Sequence, residues 1–445
     1  MKLKVQAFVE GRWQDALSLT FAQPGRQAES LCISGYEPNY LAEHYERLDS
    51  PFAVSVSAAQ RLSWTAWRDT GLPAFVYDLL PAGAARRWLE RRFGHERPAD
   101  WDPELFLLAR CTPAPIGHLR IESSVVPQVS VSRAFSRDEV IARADDFLEY
   151  AYEQGAAMGG ATGAGGEAPK LLLTEDVQGK LHADAALADD QAHCHWLVKF
   201  ARGQATTRDR DILRTEYHYY RAVSELGLNT IALEGLALEE GEKPSLWLPR
   251  FDRRVSAAGV ERIALESIYS LCGNTQPGSY LIHEEVVGRL VELWELAGQG
   301  NEVEALVFEY VRRDLLNRIL GNSDNHGRNL SVLRHADRLE LAPIYDLAPM
   351  VLDLEGISRS TKWRGEQAGS PPWRSLCDDL ERQLANRGGY RAEAPGWLFA
   401  RLREQARGFL ALPDLLTAVP ADVRQQEQRL PWLRMEQRLQ EWGLW

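Results

Sequence analysis

The start of the chain shows the alternation of apolar and polar positions that is typical of β-strands. Val5, Ala7 and Val9 fall on one face, and residues 10–12 follow as a turn, which predicts a β-hairpin. Further short strand-like segments and two helical patterns extend this region to residue 135. The pattern therefore predicts a small α+β module, in which we recognise no catalytic motif.

The middle of the chain opens with a helical pattern over residues 136–154 and a segment, residues 155–166, that contains six glycines. Leu213, Tyr217 and Tyr220 form the apolar stripe of a later helix that Gly227 ends. The predicted elements after the glycines are strands at 170–174 and 195–200, a helix at 211–226 and a strand at 246–251.

From residue 256 onward the pattern is mainly helical. The clearest helix covers residues 302–320 and ends at Gly321. A short strand pair at 330–333 and 339–343 is the exception. The chain therefore has the pattern of an α+β protein, and we divide it into residues 1–135, 136–255 and 256–445.

Composition and charge limit the possible functions. Hydrophobic residues make up 45% and charged residues 26% of the 445 residues, which is typical of a globular protein with a sizeable core. The net charge of −12 argues against a surface that binds nucleic acid throughout. The five cysteines are widely spaced and fit reduced thiols. Neither a signal peptide nor a membrane span is recognised, so we expect a cytoplasmic protein without membrane contact.

One polar loop has the residues needed for phosphoryl transfer. Asp324 lies five residues before Asn329, which is the spacing of a kinase catalytic loop, and Asp346 follows seventeen residues later. Asp324 would accept the proton of the acceptor hydroxyl, Asn329 and Asp346 would bind Mg²⁺, and His326 or Arg328 would neutralise phosphate charge. A hairpin loop stabilised by Asx turns remains an alternative. A calcium loop is excluded because the required glycine and glutamate are missing.

A second group of candidates lies in the middle part. The glycine-rich segment would bring backbone amides close to phosphates, although a flexible linker has the same composition. Lys199, inside an apolar strand, would hold phosphates and pair with Glu216 on the next helix. A lysine on an edge strand that points to water is the alternative. For Asp252 we favour a structural ion pair.

The candidate parts occur in the order found in protein kinases. A glycine-rich loop, a strand lysine, a helix glutamate, a catalytic loop and a metal-binding aspartate follow one another along the chain. This order predicts a protein-kinase-like fold with two lobes, in which residues 136–255 bind the nucleotide, residues 256–445 form the mainly helical catalytic lobe, and residues 1–135 form an accessory subdomain.

The chain resembles the HipA family of bacterial serine/threonine kinases, the toxins of toxin–antitoxin pairs. The resemblance covers most of the chain and is strongest at residues 321–331 and 341–346. Residues 250–254 and 197–199 also match family signatures, and two segments within residues 75–121 look similar to the family's accessory subdomain.

The resemblance implies a role for each candidate. Asp324 is implied as the catalytic aspartate, and Asn329 and Asp346 as the ligands of Mg²⁺. The remaining residues are implied at the ATP site, and they are Gly165, Gly166, Lys170, Lys199, Glu216, Pro249, Arg250, Phe251, His326, Arg328 and Tyr345. Among these, Lys170 would be the lysine of the phosphate loop, and the backbone of residues 249–251 would be the hinge that meets adenine.

The resemblance also implies partners. Family members phosphorylate proteins, including aminoacyl-tRNA synthetases, and they bind a small helix-turn-helix antitoxin, through which contact with DNA would be indirect. Many members silence themselves by phosphorylating a serine of the glycine-rich loop, whereas Thr162 carries the only hydroxyl group here, which leaves self-inhibition open. A catalytically weak corepressor and a small-molecule phosphotransferase are the alternative functions.

Overall fold

The structure is a computed structural model of the chain. It describes residues 1–26, 30–125, 133–142, 151, 169–276, 278–367, 369–387 and 395–445. Gly165, Gly166 and Thr162 lie outside the described residues. Both strands and helices are abundant, as the predicted α+β class requires.

The strands are short, and most are antiparallel to their neighbours. In chain order they are β1 Lys2–Val9, β2 Arg12–Phe21, β3 Leu31–Tyr36, β4 Trp67–Thr70, β5 Leu119–Ile121, β6 Lys170–Asp176, β7 Leu181–Ala183, β8 Ala192–Phe200, β9 Ala237–Glu239, β10 Ser245–Pro249, β11 Arg253–Ser256, β12 Gly259–Arg262, β13 Ala264–Ser267, β14 Leu281–Ile282, β15 Ser331–Arg334, β16 Leu339–Leu341 and β17 Thr361–Lys362.

The longest helices begin at residue 207 or later. In chain order they are α1 Pro38–Glu43, α2 Gly83–Phe93, α3 Pro103–Arg110, α4 Arg137–Ala142, α5 Thr207–Glu225, α6 Ile268–Leu271, α7 His283–Leu296, α8 Val303–Ile319, α9 Trp373–Arg387, α10 Trp397–Gly408, α11 Leu412–Leu415, α12 Ala421–Arg424 and α13 Met435–Glu441. Among the described residues, no helix has the length and apolar character needed to cross a membrane.

The chain folds into two compact units, each built from several segments. The first contains Met1–Ala205, Glu234–Pro277 and Leu330–Ala342, and the second contains Thr206–Leu233, Gly278–Asn329 and Pro343–Trp445. The sequence predicts three consecutive parts, residues 1–135, 136–255 and 256–445, and this division stays a prediction.

The first unit contains two five-stranded sheets, with strand orders β4-β3-β2-β1-β5 and β7-β6-β8-β10-β9. The predicted N-terminal hairpin is confirmed, and its turn has positive φ at Glu10 and Gly11, the conformation that suits a tight two-residue hairpin. Residues of both sheets, such as Val5 and Leu17 in one and Leu171 and Val198 in the other, belong to one hydrophobic core. The accessory module and the sheet that follows the glycines are therefore parts of one compact unit.

The sequence pattern missed several strands beyond residue 250. The hairpin of β11 and β12 and the strand β13 all lie in or next to the region predicted to be mainly helical, and β13 pairs with β15. These strands have four residues each, and three of the four residues of β11 are exposed. Such short segments show too few alternating apolar positions to be recognised.

The second unit is built on long helices. The stripe predicted in α8 is fully buried at Val307, Val311, Leu315 and Ile319. Helix α5 begins four residues earlier than the sequence indicated, because Thr206 and Asp209 form a capping box around its first turn.

The C-terminal segment docks within the second unit. Trp432 is buried, and its indole Nε1–H donates to the hydroxyl of Tyr219 at 3.0 Å. That hydroxyl in turn donates to the carbonyl of Leu320 at 2.9 Å, directly after α8. The bonds connect the chain end to both α5 and the end of α8.

A fully buried arginine attaches an irregular segment of the accessory module to the strand that follows the polar loop. Arg334, in β15, is 1% exposed and forms an ion pair of 3.1 Å with Glu266 in β13. Its terminal nitrogens donate to the carbonyls of Phe52, Ser55 and Val56 at 2.9–3.0 Å. One guanidinium therefore satisfies several backbone groups that have no strand partner.

We expect the Arg334→Met substitution to destabilise the protein by about 3–5 kcal/mol, because it leaves the Glu266 carboxylate buried without its cation. Chemical denaturation followed by circular dichroism measures this change. Arg338→Met, in the exposed turn between β15 and β16, is the matched control and should change stability by less than about 0.5 kcal/mol. A double variant with Glu266→Gln should recover part of the loss. Equal stability of the two single variants would contradict this role of Arg334.

Candidate active site

Lys170 and Lys199 lie directly opposite each other in the second sheet of the first unit. Lys170 begins β6, Lys199 lies near the end of β8, and the two positions are register partners. Opposite residues of neighbouring strands project from the same face, and like charges placed there normally destabilise a sheet. Lys199 is 3% exposed and Lys170 is half-buried. Two ammonium groups in this arrangement indicate a face suited to an anion.

The rest of this face is apolar where it meets the lysines. Leu172, Leu197 and Leu248 are register partners two residues further along β6, β8 and β10. The residues between them project from the opposite face into the hydrophobic core. Because β8 lies between β6 and β10, the alternative of an edge-strand Lys199 that points to water is wrong. The face therefore combines paired cations with buried leucines.

The segment after β10 is fixed by a buried ion-pair network. Arg250 forms two bonds with Asp252, at 2.7 and 2.8 Å, and a third with Asp184 at 2.9 Å. Arg253 also contacts Asp252 at 2.8 Å. Burial alone would raise the pKa of Asp252, but the two guanidinium groups outweigh it and the pKa is lowered. The interpretation of Asp252 as a structural ion-pair residue is confirmed.

This network limits which groups of the predicted adenine hinge, residues 249–251, could contact a nucleotide. The Arg250 side chain is committed to carboxylates, and its backbone N–H donates to the carbonyl of His195 at 3.0 Å. Pro249 and Phe251 on either side are half-buried. A role at the nucleotide for residues 249–251 therefore rests on backbone groups and on these two neighbours, while Arg250 holds the segment in place.

In the second unit, Gly321 determines how the chain leaves α8. Its φ is +70°, and a Cβ at this position would lie 2.6 Å from Leu430 Cδ2 and 2.9 Å from Val351 Cγ2. Only glycine suits both the left-handed conformation and the lack of space. The polar loop, residues 322–329, starts directly after this turn.

Hydrogen bonds within the polar loop hold its two ends together. The side-chain amide of Asn329 donates to the carbonyl of Asp324 at 2.5 Å, and the backbone N–H of Asp324 donates to Asn322 Oδ1 at 3.2 Å. The Asx-type bonding that the sequence left open is therefore present in the loop. Because the amide nitrogen of Asn329 is committed, Oδ1 is the atom with which this side chain can bind a cation.

His326 lies beside the candidate base and is buried. Its Nδ1 accepts the backbone N–H of Arg328 at 3.2 Å, so the neutral ring carries its proton on Nε2. That Nε2 is 3.6 Å from Asp324 Oδ1. Asp324 itself is half-buried, with 25% of its side chain exposed. Arg328 is 8% exposed, and its carbonyl accepts the hydroxyl of Tyr345 at 2.6 Å.

Asp346 lies in a strained turn that the loop supports. Its φ is +53°, a left-handed conformation that is uncommon outside glycine and is frequent at functional sites. Its carbonyl accepts the side-chain amide of Asn322 at 3.1 Å. The preceding residue, Tyr345, bonds to the loop through Arg328. The predicted metal-binding aspartate and the predicted catalytic loop are thus connected at two points.

Glu216 lies on α5 and is 4% exposed. The hydroxyl of Tyr220 donates to Glu216 Oε1 at 2.6 Å and accepts the backbone N–H of Leu347 at 3.4 Å. Burial raises the pKa of Tyr220 well above its usual value, and Glu216 adds to this, so the phenol stays protonated. Tyr220 therefore connects the predicted helix glutamate to the turn at Asp346. The ion pair between Glu216 and Lys199 stays a prediction.

Three residues that support the site were not among the predicted site residues. Asn322 bonds to both the loop and the turn at Asp346, Tyr220 bonds to Glu216 and to the backbone of Leu347 beside that turn, and Arg359 donates to the carbonyl of Asn322 at 3.0 Å. Tyr220 was recognised only as part of an apolar stripe. In the sequence, Asn322 can be recognised as an amide residue directly after the helix-ending Gly321. Nothing near Arg359 in the sequence indicates that it contacts Asn322.

The domain and the fold of this chain recur in known proteins. The model of the HipA-like C-terminal domain matches residues 162–402, more than half of the chain. Among solved structures, HipA of Shewanella oneidensis MR-1, determined in a complex with HipB and its operator DNA, has a TM-score of 0.67 at 17% identity, covering 98% of this chain and 97% of that one. This similarity confirms the predicted fold class.

Two further results complete the comparison. The Helicobacter pylori proinflammatory kinase CtkA has a TM-score of 0.32 at 14% identity, and covers 64% of this chain and 94% of its own. The search of curated proteins gives no match. The match of the domain model over most of the chain, together with the motifs that carry the resemblance, shows that this chain belongs to the HipA family.

Proposed function

We propose that the chain is a Mg²⁺-ATP-dependent serine/threonine protein kinase of the HipA toxin type. The observation that carries this proposal is the connection of Asp324 and Asn329 to Asp346 through hydrogen bonds within the second unit. A proton acceptor and two oxygen ligands for a cation are held in one network. The paired lysines of the first unit supply the positive charge that a triphosphate requires.

The donor set fits Mg²⁺. Asn329 Oδ1 and the Asp346 carboxylate are oxygen ligands, which hard cations prefer. Within the described ranges, no group of three or more His, Cys, Asp or Glu residues is arranged to hold a metal ion. Two protein oxygens suit an ion that completes its shell with phosphate and water, as Mg²⁺ does in nucleotide enzymes.

The protein side of the reaction follows from these positions. Bound Mg²⁺-ATP supplies the phosphoryl group and neutralises its charge. Lys170 and Lys199 would hold phosphate oxygens. Asp324 accepts the proton of the acceptor hydroxyl. His326 lies beside Asp324 with its Nε2–H, from which it can orient the carboxylate or an oxygen bound there.

We further propose a protein as the acceptor and a small helix-turn-helix antitoxin as the partner. An aminoacyl-tRNA synthetase is the type of acceptor that the resemblance implies, and its phosphorylation would arrest translation. The similar Shewanella protein was solved with HipB and operator DNA. With a net charge of −12, this chain would reach DNA through its partner.

Asp324→Asn should lower phosphotransfer at least about 100-fold, since a positioned general base contributes that much or more. ATP binding should persist, because the amide keeps the shape of the carboxylate. ADP release in the presence of Mg²⁺ and lysate protein measures turnover, and titration with a fluorescent ATP analogue measures binding. Asp337→Asn, in an exposed turn, is the matched control and should keep full activity. Full turnover in Asp324→Asn would reject Asp324 as the base.

Lys199→Met should weaken ATP binding about 10- to 100-fold, the effect of losing a charge-assisted hydrogen bond. Binding of adenosine, which lacks phosphates, should stay the same. Isothermal titration calorimetry with both ligands separates the two contributions. The control is Lys243→Met, which removes an exposed lysine. If adenosine and ATP weaken equally, Lys199 supports the sheet and does not bind phosphate.

The partner proposal predicts that the purified chain alone does not retard DNA at physiological salt. The helix-turn-helix protein from a neighbouring gene should bind its operator, and addition of this chain should retard the complex further. An electrophoretic mobility shift assay tests both expectations. Retardation of operator DNA by this chain alone would contradict the proposal that contact with DNA is indirect.

A further inference from the structure

Asn322 uses both ends of its side chain to connect the two halves of the candidate site in the second unit. It is 3% exposed, and its Oδ1 accepts the backbone N–H of Asp324 at 3.2 Å. Its Nδ2 donates to the carbonyl of Asp346 at 3.1 Å and to Asn317 Oδ1 at 2.9 Å. One amide therefore bonds directly to the backbone of the candidate base and to that of the candidate metal ligand.

The backbone N–H and the carbonyl of Asn322 also form hydrogen bonds. Its N–H donates to the carbonyl of Asn317 at 2.7 Å, which closes the C-terminal end of α8 after Gly321. Its carbonyl accepts Arg359 Nη1 at 3.0 Å, and the same guanidinium forms an ion pair with Asp314 on α8. Asp314 is 4% exposed. The position of Asn322 is thus set relative to a long helix before its side chain reaches the site.

The polar loop is also bonded to a second residue of the segment that contains Arg359. The side-chain amide of Asn325 donates to the carbonyl of Thr361 at 3.0 Å, and the Thr361 hydroxyl donates to the carbonyl of Asn325 at 2.9 Å. Thr361 belongs to β17, which pairs with β14. The residues on both sides of Asp324 are therefore held by segment 359–361.

We propose that Asn322 is a positioning residue that couples Asp324 to Asp346, so that the base and the metal ligand are placed as one unit. The inference rests on the kinase function proposed above and adds a residue to its site. Asp346 has a left-handed backbone that needs support, and Asn322 bonds to the carbonyl of that same residue. An aliphatic side chain would free the Asp324 amide and the Asp346 carbonyl at once.

Asn322→Ala should lower kcat about 100-fold, the cost of misplacing reacting groups by about an ångström. The Mg²⁺ concentration for half-maximal activity should rise about tenfold, the usual cost of losing a residue that orients a metal ligand. At saturating Mg²⁺ the KM for ATP should change little, because the hydrogen bonds of the Asn322 side chain go to Asn317, Asp324 and Asp346 and not to the lysines proposed to hold phosphate. Gln14→Ala removes an equally buried amide from β2 and should keep the kcat and Mg²⁺ response of the wild type.

Hydrogen exchange tests the coupling without any enzyme assay. In the full chain carrying Asn322→Ala, amides of peptides covering residues 323–329 and 345–348 should both lose protection, whereas Gln14→Ala should keep it. Unchanged protection in either segment, or a kcat and Mg²⁺ response equal to those of Gln14→Ala, would overturn the proposal. If the wild type shows no phosphotransfer, the kinase function fails, and the exchange result still decides whether Asn322 couples the two segments.

Discussion

The structure of the second unit depends on the need of buried polar groups for partners. Asn322 follows a long helix whose last backbone carbonyls have no partner within the helix, and its N–H donates to one of them, the carbonyl of Asn317. Its side chain bonds to backbone groups beyond the helix and connects the residues around Asp324 with the turn at Asp346. One residue therefore satisfies buried backbone groups and also fixes the proposed base relative to the proposed metal ligand.

The first unit contributes in a different way. Its second sheet has one face in the hydrophobic core, and the other face carries the opposed lysines. Both ammonium groups would interact favourably with an anion of high charge. The ion-pair network at Arg250 and Asp252 keeps the end of β10 in position beside this face.

The sequence was sufficient for the parts of the fold with strong periodicity. The hairpin at the N-terminus, the helices α5 and α8 and the strands that carry Lys170 and Lys199 all follow from apolar spacing. Short strands such as β12 and β13 were missed, because four residues are too few to show a period. The placement of Arg359 next to Asn322 could not be predicted either, since no spacing rule connects residues so far apart in the chain.

In the candidate site, too, the sequence indicates the motif residues through their spacing but not the tertiary contacts that support them. The spacing of Asp324, Asn329 and Asp346 predicted phosphoryl-transfer chemistry, because that reaction needs few groups and needs them in a fixed order. Their support by Tyr220 and Asn322 depends on tertiary contacts. Membership in the HipA family and the similarity in fold over nearly the whole chain agree with that chemistry.

The most direct test of a protein kinase function is transfer of label from radioactive ATP in a cell lysate. With wild-type protein and Mg²⁺, we predict that one or a few proteins acquire label on serine or threonine, as identified by mass spectrometry, and that Asp324→Asn labels none. Label found only in small molecules, or ATP binding without any transfer, would contradict the proposed function.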